Sequence, residues 1–428
     1  MIRRLPLLVV FVTSCAAPVV NVPSASTAPT TSPTASPSAA ATASPSAAPS
    51  PATRAFAGAG LETFAVGRLS GEIALLIRPV QPKGDPLSST DSRELWIVPL
   101  DGRAPTLAVR FRTPKVSNTI DANALDRQLS PDGRRVVLSV GIGEIEVASQ
   151  LEIIDLETGR VTPVAPGGGP LWEDTYPAWS PDGALIAFVR WPHALGSGSR
   201  ELWVIGADGR NARRIRPAPG AGTFIRLFTW LPDSRRIAFD PINFESSMLA
   251  VIDLDGTERV RRAEQLNAGD PGGLPVAFRS RAPVLALTTF DSSLSPTRYD
   301  LVVADDIGAS ARIVATVKPD ATTGVFGLAA PRWDPSGANA LLYRLTGVGS
   351  TTVVLDLATG ASVRIGSRVR AADWSPDGKR IVTIEEHPST ANDALYVWTR
   401  DGQLVRERVD LPGEPLIYRL TDLAVRSY

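Results

Sequence analysis

Residues 179–188 read Trp-Ser-Pro-Asp-Gly-Ala-Leu-Ile-Ala-Phe, a polar turn followed directly by an apolar run. Proline presets the backbone of such a turn, aspartate bonds nearby backbone amides, and glycine supplies the conformation in which the chain leaves it. The apolar run has no helical periodicity and its composition favours a β-strand. The stretch therefore predicts a tight turn that leads into a strand.

Related turns recur along the chain, and the residue that opens each of them marks a repeat. The opening residues are Leu69, Leu129, Trp179, Trp230, Phe278, Trp333 and Trp374. A second repeated segment agrees with this spacing. The sequence SRELWIV at 92–98 recurs as SRELWVI at 199–205, about two repeat lengths later. The chain therefore contains seven units of about fifty residues, a length typical of propeller repeats.

Each unit has the same internal order of strands and turns. A third strand follows after a variable stretch, as at 151–154 and 249–252, and an Asp-Gly or Thr-Gly turn leads into a fourth, more polar strand. Four antiparallel strands per unit build one blade of a β-propeller. We therefore predict an all-β fold over residues 58–428, a propeller of four-stranded antiparallel blades with seven blades, six or eight being the alternatives. The aromatic opening residues are predicted to be core that packs between neighbouring blades.

The first unit lacks the proline and aspartate of the turn, so its first strand is in doubt. The segment DLAVRS at 422–427 resembles PVAFRS at 275–280, which precedes a turn in another unit. We predict that residues 422–427 supply the missing strand and close the ring, because an open edge strand invites aggregation.

The repeats point to a known family. The pattern P-x-W-S-P-D-G-x-x-I-A-F, followed by L-W-V-x-x-x-D-G, closely resembles the WD40-like (PD40) repeat of TolB-type propellers. The resemblance covers essentially all of 58–428, with the best matches in the second, third and seventh units. It implies the blade type. TolB itself has six blades and an α/β domain, so the resemblance does not extend to the role of TolB.

Residues 1–14 predict a signal peptide, since Arg3 and Arg4 precede a short apolar stretch at 5–12. That stretch is too short for a bilayer, which needs about twenty residues. The segment ends Val-Thr-Ser-Cys15, which resembles the lipobox of bacterial lipoproteins, whose cysteine thiol carries a diacylglycerol. The resemblance implies lipid attachment at Cys15, the sole cysteine. The alternative is an ordinary signal peptide that happens to hold a cysteine.

Residues 15–57 are predicted to form a tether that begins at that cysteine. From 16 to about 53 the chain is almost entirely Ala, Ser, Pro and Thr, without charged or aromatic side chains. Such a segment cannot bury enough apolar surface to fold, and its prolines favour an extended spacer. We therefore expect an extracytoplasmic domain held to a bacterial membrane by a lipid anchor, at the cell surface or in the periplasm.

The charge balance excludes one class of partner. The 428-residue chain has 44 basic and 44 acidic residues, whereas a nucleic-acid partner needs a strong basic excess on one face. A polybasic membrane patch is equally unsupported. We expect no nucleic-acid partner and a monomeric chain.

Residues typical of catalysis or metal binding are scarce. His193 and His387 are the only histidines and fall in different units, whereas a metal site needs several converging ligands. Oligogalacturonate lyases are similar propellers with histidine-rich manganese sites, and prolyl-oligopeptidase relatives carry G-x-S-x-G. Neither pattern occurs in this chain. We predict no metal, no cofactor and no catalytic residues, and leave enzymatic activity open.

Long irregular loops are predicted on one side of the ring, opposite the short Ser-Pro-Asp-Gly and Asp-Gly turns. Binding usually resides on such loops, which a rigid scaffold holds in place. The candidate partner-binding residues, all in the third unit, are Trp172, Glu173, Asp174, Tyr176, Trp191 and His193.

Two functions fit this architecture. The first is a binding or scaffolding module for a protein or cell-envelope partner. The alternative is a glycan-binding protein, or a carboxylate-dependent enzyme that acts on a saccharide or peptide at the central funnel. Acidic residues about 5–10 Å apart at the central channel would favour this alternative.

Overall fold

The structure is a computed structural model that describes most of the chain between residues 61 and 428. The described ranges are 61–80, 92–112, 125–142, 148–164, 172–192, 200–216, 224–242, 249–262, 276–280, 282, 284–291, 293–294, 296–386, 393–409 and 422–428. Cys15, the predicted signal peptide and the predicted tether lie outside these ranges, as do His193 and His387. Within them no helix is long and apolar enough to cross a membrane.

Strands make up nearly all of the regular structure in these ranges. The first half of the chain contributes one helical turn, α1 (Leu125–Gln128), and the strands β1 (Leu61–Thr63), β2 (Glu72–Val80), β3 (Ser92–Pro99), β4 (Thr106–Arg112), β5 (Arg135–Ile142), β6 (Ala148–Asp155), β7 (Val161–Val164), β8 (Trp172–Trp179), β9 (Leu185–Pro192), β10 (Glu201–Gly206) and β11 (Arg213–Arg216).

The second half contributes strands alone to the described part of the chain. They are β12 (Phe224–Trp230), β13 (Arg236–Ile242), β14 (Leu249–Asp253), β15 (Glu258–Arg262), β16 (Val276–Phe278), β17 (Leu285–Asp291), β18 (Arg298–Ala304), β19 (Arg312–Val317), β20 (Val325–Trp333), β21 (Ala340–Gly347), β22 (Thr351–Asp356), β23 (Ser362–Ile365), β24 (Val369–Trp374), β25 (Arg380–Glu386), β26 (Asp393–Thr399), β27 (Leu404–Val409) and β28 (Asp422–Ser427).

In the part of the chain that the structure describes, these strands form six sheets. Four sheets contain four consecutive antiparallel strands each: β12–β15, β16–β19, β20–β23 and β24–β27. A fifth has the order β28-β2-β3-β4, with β1 added outside β4, and the sixth joins β5–β11. The predicted all-β propeller with four-stranded antiparallel blades is confirmed, although the sheets do not separate into seven.

The segment at 422–427 completes the sheet that contains β2. As β28 it pairs antiparallel with β2, from Glu72 opposite Ser427 to Ile77 opposite Asp422. The backbones of Gly71 and Tyr428 exchange two further hydrogen bonds, at 3.0 and 3.3 Å. The predicted closing strand is therefore present, and it forms the inner edge of its blade.

The Ser-Pro-Asp-Gly turns share one set of hydrogen bonds. Ser180 Oγ donates to Asp182 Oδ1 at 2.6 Å and accepts from Leu185 N at 2.9 Å. Gly183 has a φ of 72°, a left-handed conformation that glycine adopts without steric cost. The turns at 130–133 and 375–378 repeat these bonds, so the predicted turn chemistry is confirmed.

Three of the opening tryptophans bond across a blade boundary. Each donates its indole N–H to the backbone carbonyl that precedes the opening residue of the neighbouring unit. The pairs are Trp230 with Ala178 at 3.0 Å, Trp333 with Ala277 at 3.1 Å and Trp374 with Arg332 at 3.3 Å. All three side chains are buried. The prediction that they are core between blades is confirmed.

Trp179 breaks this pattern and supplies a matched control. The residue before the opening residue of the neighbouring unit, Gln128, lies in α1, and the indole N–H of Trp179 is buried with no hydrogen-bond partner among the described residues. We expect Trp230→Phe to lower the free energy of unfolding by about 1 kcal/mol more than Trp179→Phe, because only the former loses a hydrogen bond. Arg135 lies over the Trp179 ring at 4.7 Å, and phenylalanine keeps a ring face for it. Equal losses in urea unfolding would contradict this role of the indole N–H.

Candidate functional site

The inner strands enclose a central cavity of about 890 Å³. Parts of β12, β16, β20, β24 and β28 line it, together with α1. The prolines of four turns also reach it: Pro181, Pro232, Pro335 and Pro376. The cavity therefore lies toward the side of the ring that carries the Ser-Pro-Asp-Gly turns.

A chain of ion pairs forms part of the cavity lining. Arg332 Nη1 lies 3.3 Å from Asp126 Oδ2 and 3.8 Å from Asp373 Oδ1. Arg426 forms a second ion pair with Asp126. We call these four residues the charged cluster. Because both carboxylates contact one nitrogen, those two oxygens are at most about 7 Å apart.

The backbone places Arg332 by an irregularity in β20. The register with β21 shifts between Ala329 and Arg332, and Ala330 has a φ of 52°. Bulges of this kind redirect side chains, and a left-handed alanine carries strain that the surrounding fold must hold. Asp373 directly precedes Trp374 at the end of β24, and both residues line the cavity.

Two carboxylates fix the closing strand β28 on its two sides. Asp373 Oδ2 accepts a hydrogen bond from Val425 N at 3.0 Å. Asp422 accepts from the backbone N–H of Leu125, at the start of α1, and from Leu423 N at 2.8 Å. Asp422 is 1% exposed. The closing strand and the charged cluster are therefore parts of one structure.

The three carboxyl groups around β28 differ in acidity. Burial favours the neutral form of Asp126, but Arg426 and Arg332 outweigh it and hold its pKa well below the usual range. Burial raises the pKa of Asp373 in spite of Arg332. Burial likewise raises the pKa of Asp422 to about 7, against the opposing effects of the Leu125 N–H and Arg332.

The pKa of Asp422 predicts a pH dependence of stability. The folded state holds this proton up to about pH 7, whereas the unfolded chain releases it near pH 4. Stability is therefore lost as the pH rises through this window, by about 1.4 kcal/mol per unit, or about 2 kcal/mol between pH 5.5 and 8. In urea unfolding at the two pH values, Asp422→Asn should reduce the difference. An unchanged difference would contradict this origin.

The structure places four of the predicted loop-side residues in one strand. Trp172, Glu173, Asp174 and Tyr176 all lie in β8, where the sequence predicted an irregular connection. Glu173 and Asp174 are buried, and Asp174 Oδ1 accepts from Arg190 Nε at 2.7 Å. Burial raises the pKa of Asp174 although Arg190 opposes the shift. These carboxylates belong to the packing of their blade, while Trp172 and Tyr176 are half-buried.

The side chains of the other two predicted residues, Trp191 and His193, are not described by the structure. The backbone of Trp191 belongs to β9, and its side chain lies outside the described residues, as does all of His193. A partner-binding role for the six residues stays a prediction.

Sequence reasoning missed the charged cluster, although a signal for half of it was available. Arg332 and Asp373 each directly precede an opening tryptophan, so the repeat gives them the same position in their units. Asp126 and Arg426 gave no such signal, because one lies in α1 and the other in the closing strand. Among the described residues, no three His, Cys, Asp or Glu side chains are placed to hold a metal ion.

Comparison with known proteins gives one short sequence match. No family model matches the chain. A stretch of 62 residues is 42% identical to the Tol-Pal system protein TolB 1 of Novosphingobium aromaticivorans, and the match spans 13% of this chain and 13% of that protein.

Solved structures show the same fold at low sequence identity. An oligogalacturonate lyase in complex with manganese is 16% identical with a TM-score of 0.50, over 83% of this chain and 90% of that chain. A protein from Lactobacillus plantarum is 16% identical with a TM-score of 0.51, over 84% and 100%. Such likeness shows the fold alone. With the local match to TolB 1 and the blades described above, the repeats of this chain are TolB-like β-propeller repeats.

Proposed function

We propose that the protein is a lipid-anchored, extracytoplasmic propeller that binds a protein or cell-envelope partner. In this proposal residues 1–14 are the signal peptide, 15–57 the tether that starts at lipidated Cys15, and 58–428 the propeller. The match to a Tol-Pal system protein supports a location outside the cytoplasm and a partner in the envelope. The propeller then works as a monomer at the end of this tether.

The central cavity carries the binding role. Asp126 is held by two arginines, and Asp373 by Arg332 and the backbone of Val425. Groups engaged in this way are preorganised, which lowers the cost of ordering them when a ligand binds. The volume of about 890 Å³ is also typical of ligand sites, which span about 300–1,000 Å³.

We further propose that the ring has seven blades. The parts β5–β7 and β8–β11 of the largest sheet join through a single parallel bridge, between Ser149 and Glu173. Each part is otherwise antiparallel. Leu129 bridges Val136 in β5, which supports a short first strand for that blade. Two blades here and one in each of the other five sheets make seven.

A carboxylate-dependent enzyme, or a glycan-binding protein, at the same cavity is the second candidate. The observation in its favour is the opposed acidity of Asp126 and Asp373, since paired carboxylates with separated pKa values can divide acid and base roles. Against it, Arg332 contacts both groups. Loss of turnover of a saccharide or peptide in Asp373→Asn, at an unchanged urea midpoint, would favour the enzyme.

The anchor and the partner are tested in the native cell. We expect Cys15→Ala to abolish palmitate labelling and to move the protein from the membrane to the soluble fraction. Crosslinking followed by mass spectrometry should then recover an envelope component with the anchored protein. Labelling that survives Cys15→Ala would overturn the anchor, and the absence of any envelope adduct would overturn the binding role.

A further inference from the structure

Three large apolar side chains stand exposed at the loop-side ends of two neighbouring sheets. They are Leu294, Phe326 and Val348, which are 41%, 46% and 79% exposed. Leu294 lies in the connection between β17 and β18, Phe326 near the start of β20, and Val348 directly after β21. A single exposed apolar side chain is ordinary, but several at one end of neighbouring sheets indicate an interaction surface. We call these three residues the apolar tip.

Backbone contacts hold the apolar tip in place. The backbone N–H of Val348 donates to the carbonyl oxygen of Gly324 at 2.9 Å, so the turns before β20 and after β21 are joined. Phe326 lies in a bulge of β20, and bulges redirect side chains. A Cβ on the next residue, Gly327, would lie 3.7 Å from the ring of Tyr299 in β18. The two sheets therefore meet beside the tip.

The two segments that carry Phe326 and Val348 have no charged side chain. Residues 321–331 and 345–355 contain none, although 21% of the chain is charged. The charged residues that flank these segments and the Leu294 connection are of both signs: Asp291, Arg298, Lys318 and Asp320. Apolar contact rather than net charge therefore defines this surface. Exposed apolar side chains of this kind bind the boundary between lipid headgroups and acyl chains.

The chain enters the propeller on the same side of the ring. Ser92 and Arg112 lie opposite each other at the loop-side ends of β3 and β4. β1 begins with Leu61 opposite Phe111, one residue from that end. A tether over residues 15–57 therefore leads to the loop side, whereas the cavity lies toward the turn side.

We propose that the apolar tip inserts into the lipid surface and turns the loop side of the ring toward the membrane. The cavity on the turn side then faces away from the lipid and stays open to a partner. Attachment of one end of the chain to the membrane raises the effective concentration of the tip there, so weak insertion is sufficient. This inference rests on the lipid anchor of the proposed function and adds where the propeller meets the membrane.

Fluorescence of the purified full chain tests the tip without its anchor, in a Cys15→Ala background. An environment-sensitive NBD fluorophore on Val348→Cys reports the polarity around the tip. With protein-free phosphatidylcholine vesicles at about 2 mM lipid we expect a blue shift and an increase in emission of about twofold, unchanged in about 0.5 M salt. The matched control is the same fluorophore on Ile313→Cys, an exposed apolar position near the turn-side end of β19, which should show neither change.

Two double variants separate the tip from general surface hydrophobicity. Phe326→Ser combined with Val348→Ser should reduce sedimentation of the chain with these vesicles about tenfold. Ile313→Ser combined with Val405→Ser removes two apolar side chains that are also about half exposed, at the turn-side ends of β19 and β27, and should have no effect. Both double variants should keep the urea midpoint of the parent chain.

Three results would overturn the inference: no spectral change at position 348, an equal change at position 313, or equal losses in the two double variants. Binding only to membranes that retain their proteins would also overturn it, and would assign the tip to a protein partner. Palmitate labelling that depends on Cys15, found together with such a failure, would leave the anchor intact and reject only the tip. Vesicle binding by the tip, with labelling that survives Cys15→Ala, would do the reverse.

Discussion

Truncation after residue 412 is expected to lower the melting temperature by about 10 °C, and the free energy of unfolding by about 5 kcal/mol or more. The truncation removes β28, which buries Leu423, Ala424 and Val425 between two neighbouring blades. It also leaves β2 as an unpaired inner edge and removes Arg426 from Asp126. Thermal unfolding followed by circular dichroism measures the loss.

Point variants in the same strand separate burial from chain length. Leu423→Ala deletes a side chain that is 1% exposed and should cost about 2–5 kcal/mol. Ser427→Ala, at an exposed position of the strand, should change stability by less than about 0.5 kcal/mol. A truncated chain that melts with the full-length protein would show that β28 does not fasten the ring.

Arg332→Met is expected to cost about 3–5 kcal/mol, the second largest effect. Methionine keeps much of the stem but removes the guanidinium that joins Asp126 to Asp373. Asp126 keeps its ion pair with Arg426. Most of the lost stability therefore comes from Asp373, whose ionised form loses the guanidinium group that contacts it. The loss should therefore be larger at about pH 8 than at about pH 5, where the carboxyl group can accept a proton.

A double variant tests this assignment. Asp373→Asn placed on Arg332→Met removes the uncompensated charge and should recover at least 1 kcal/mol relative to the sum of the two single effects. Strictly additive losses in urea unfolding would show that the two residues are not coupled, and the ion pair would then have no energetic role.

The regular parts of the blades followed from the sequence because they depend on local chemistry. The Ser-Pro-Asp-Gly turns bond within six residues of chain, so the pattern around Ser180 could be interpreted without the fold. The buried opening tryptophans followed from their recurrence at a fixed position. The closing strand was found because its residues echo an inner strand elsewhere, β16, in the same chain.

The charged cluster could not be predicted in the same way. Arg332 and Asp126 are 206 residues apart and Arg426 and Asp126 are 300 apart, so no local pattern joins them. Closure of the ring brings these residues together, and a bulge in β20 directs the Arg332 side chain toward Asp126 and Asp373. The prediction of loop-side residues relied on a local pattern. It assigned residues 172–176 to an irregular connection between two strands, whereas β8 already begins at Trp172.

Site-specific photo-crosslinking in intact cells tests most directly the central claim that the cavity on the turn side is the binding site. A benzophenone side chain would replace Pro335 at the cavity, and in separate variants Trp172 or Thr322, toward the opposite end of the inner strands. We expect an envelope adduct from Pro335 and none from the other two positions. Adducts from Trp172 or Thr322 without one from Pro335 would contradict it and favour the loop side.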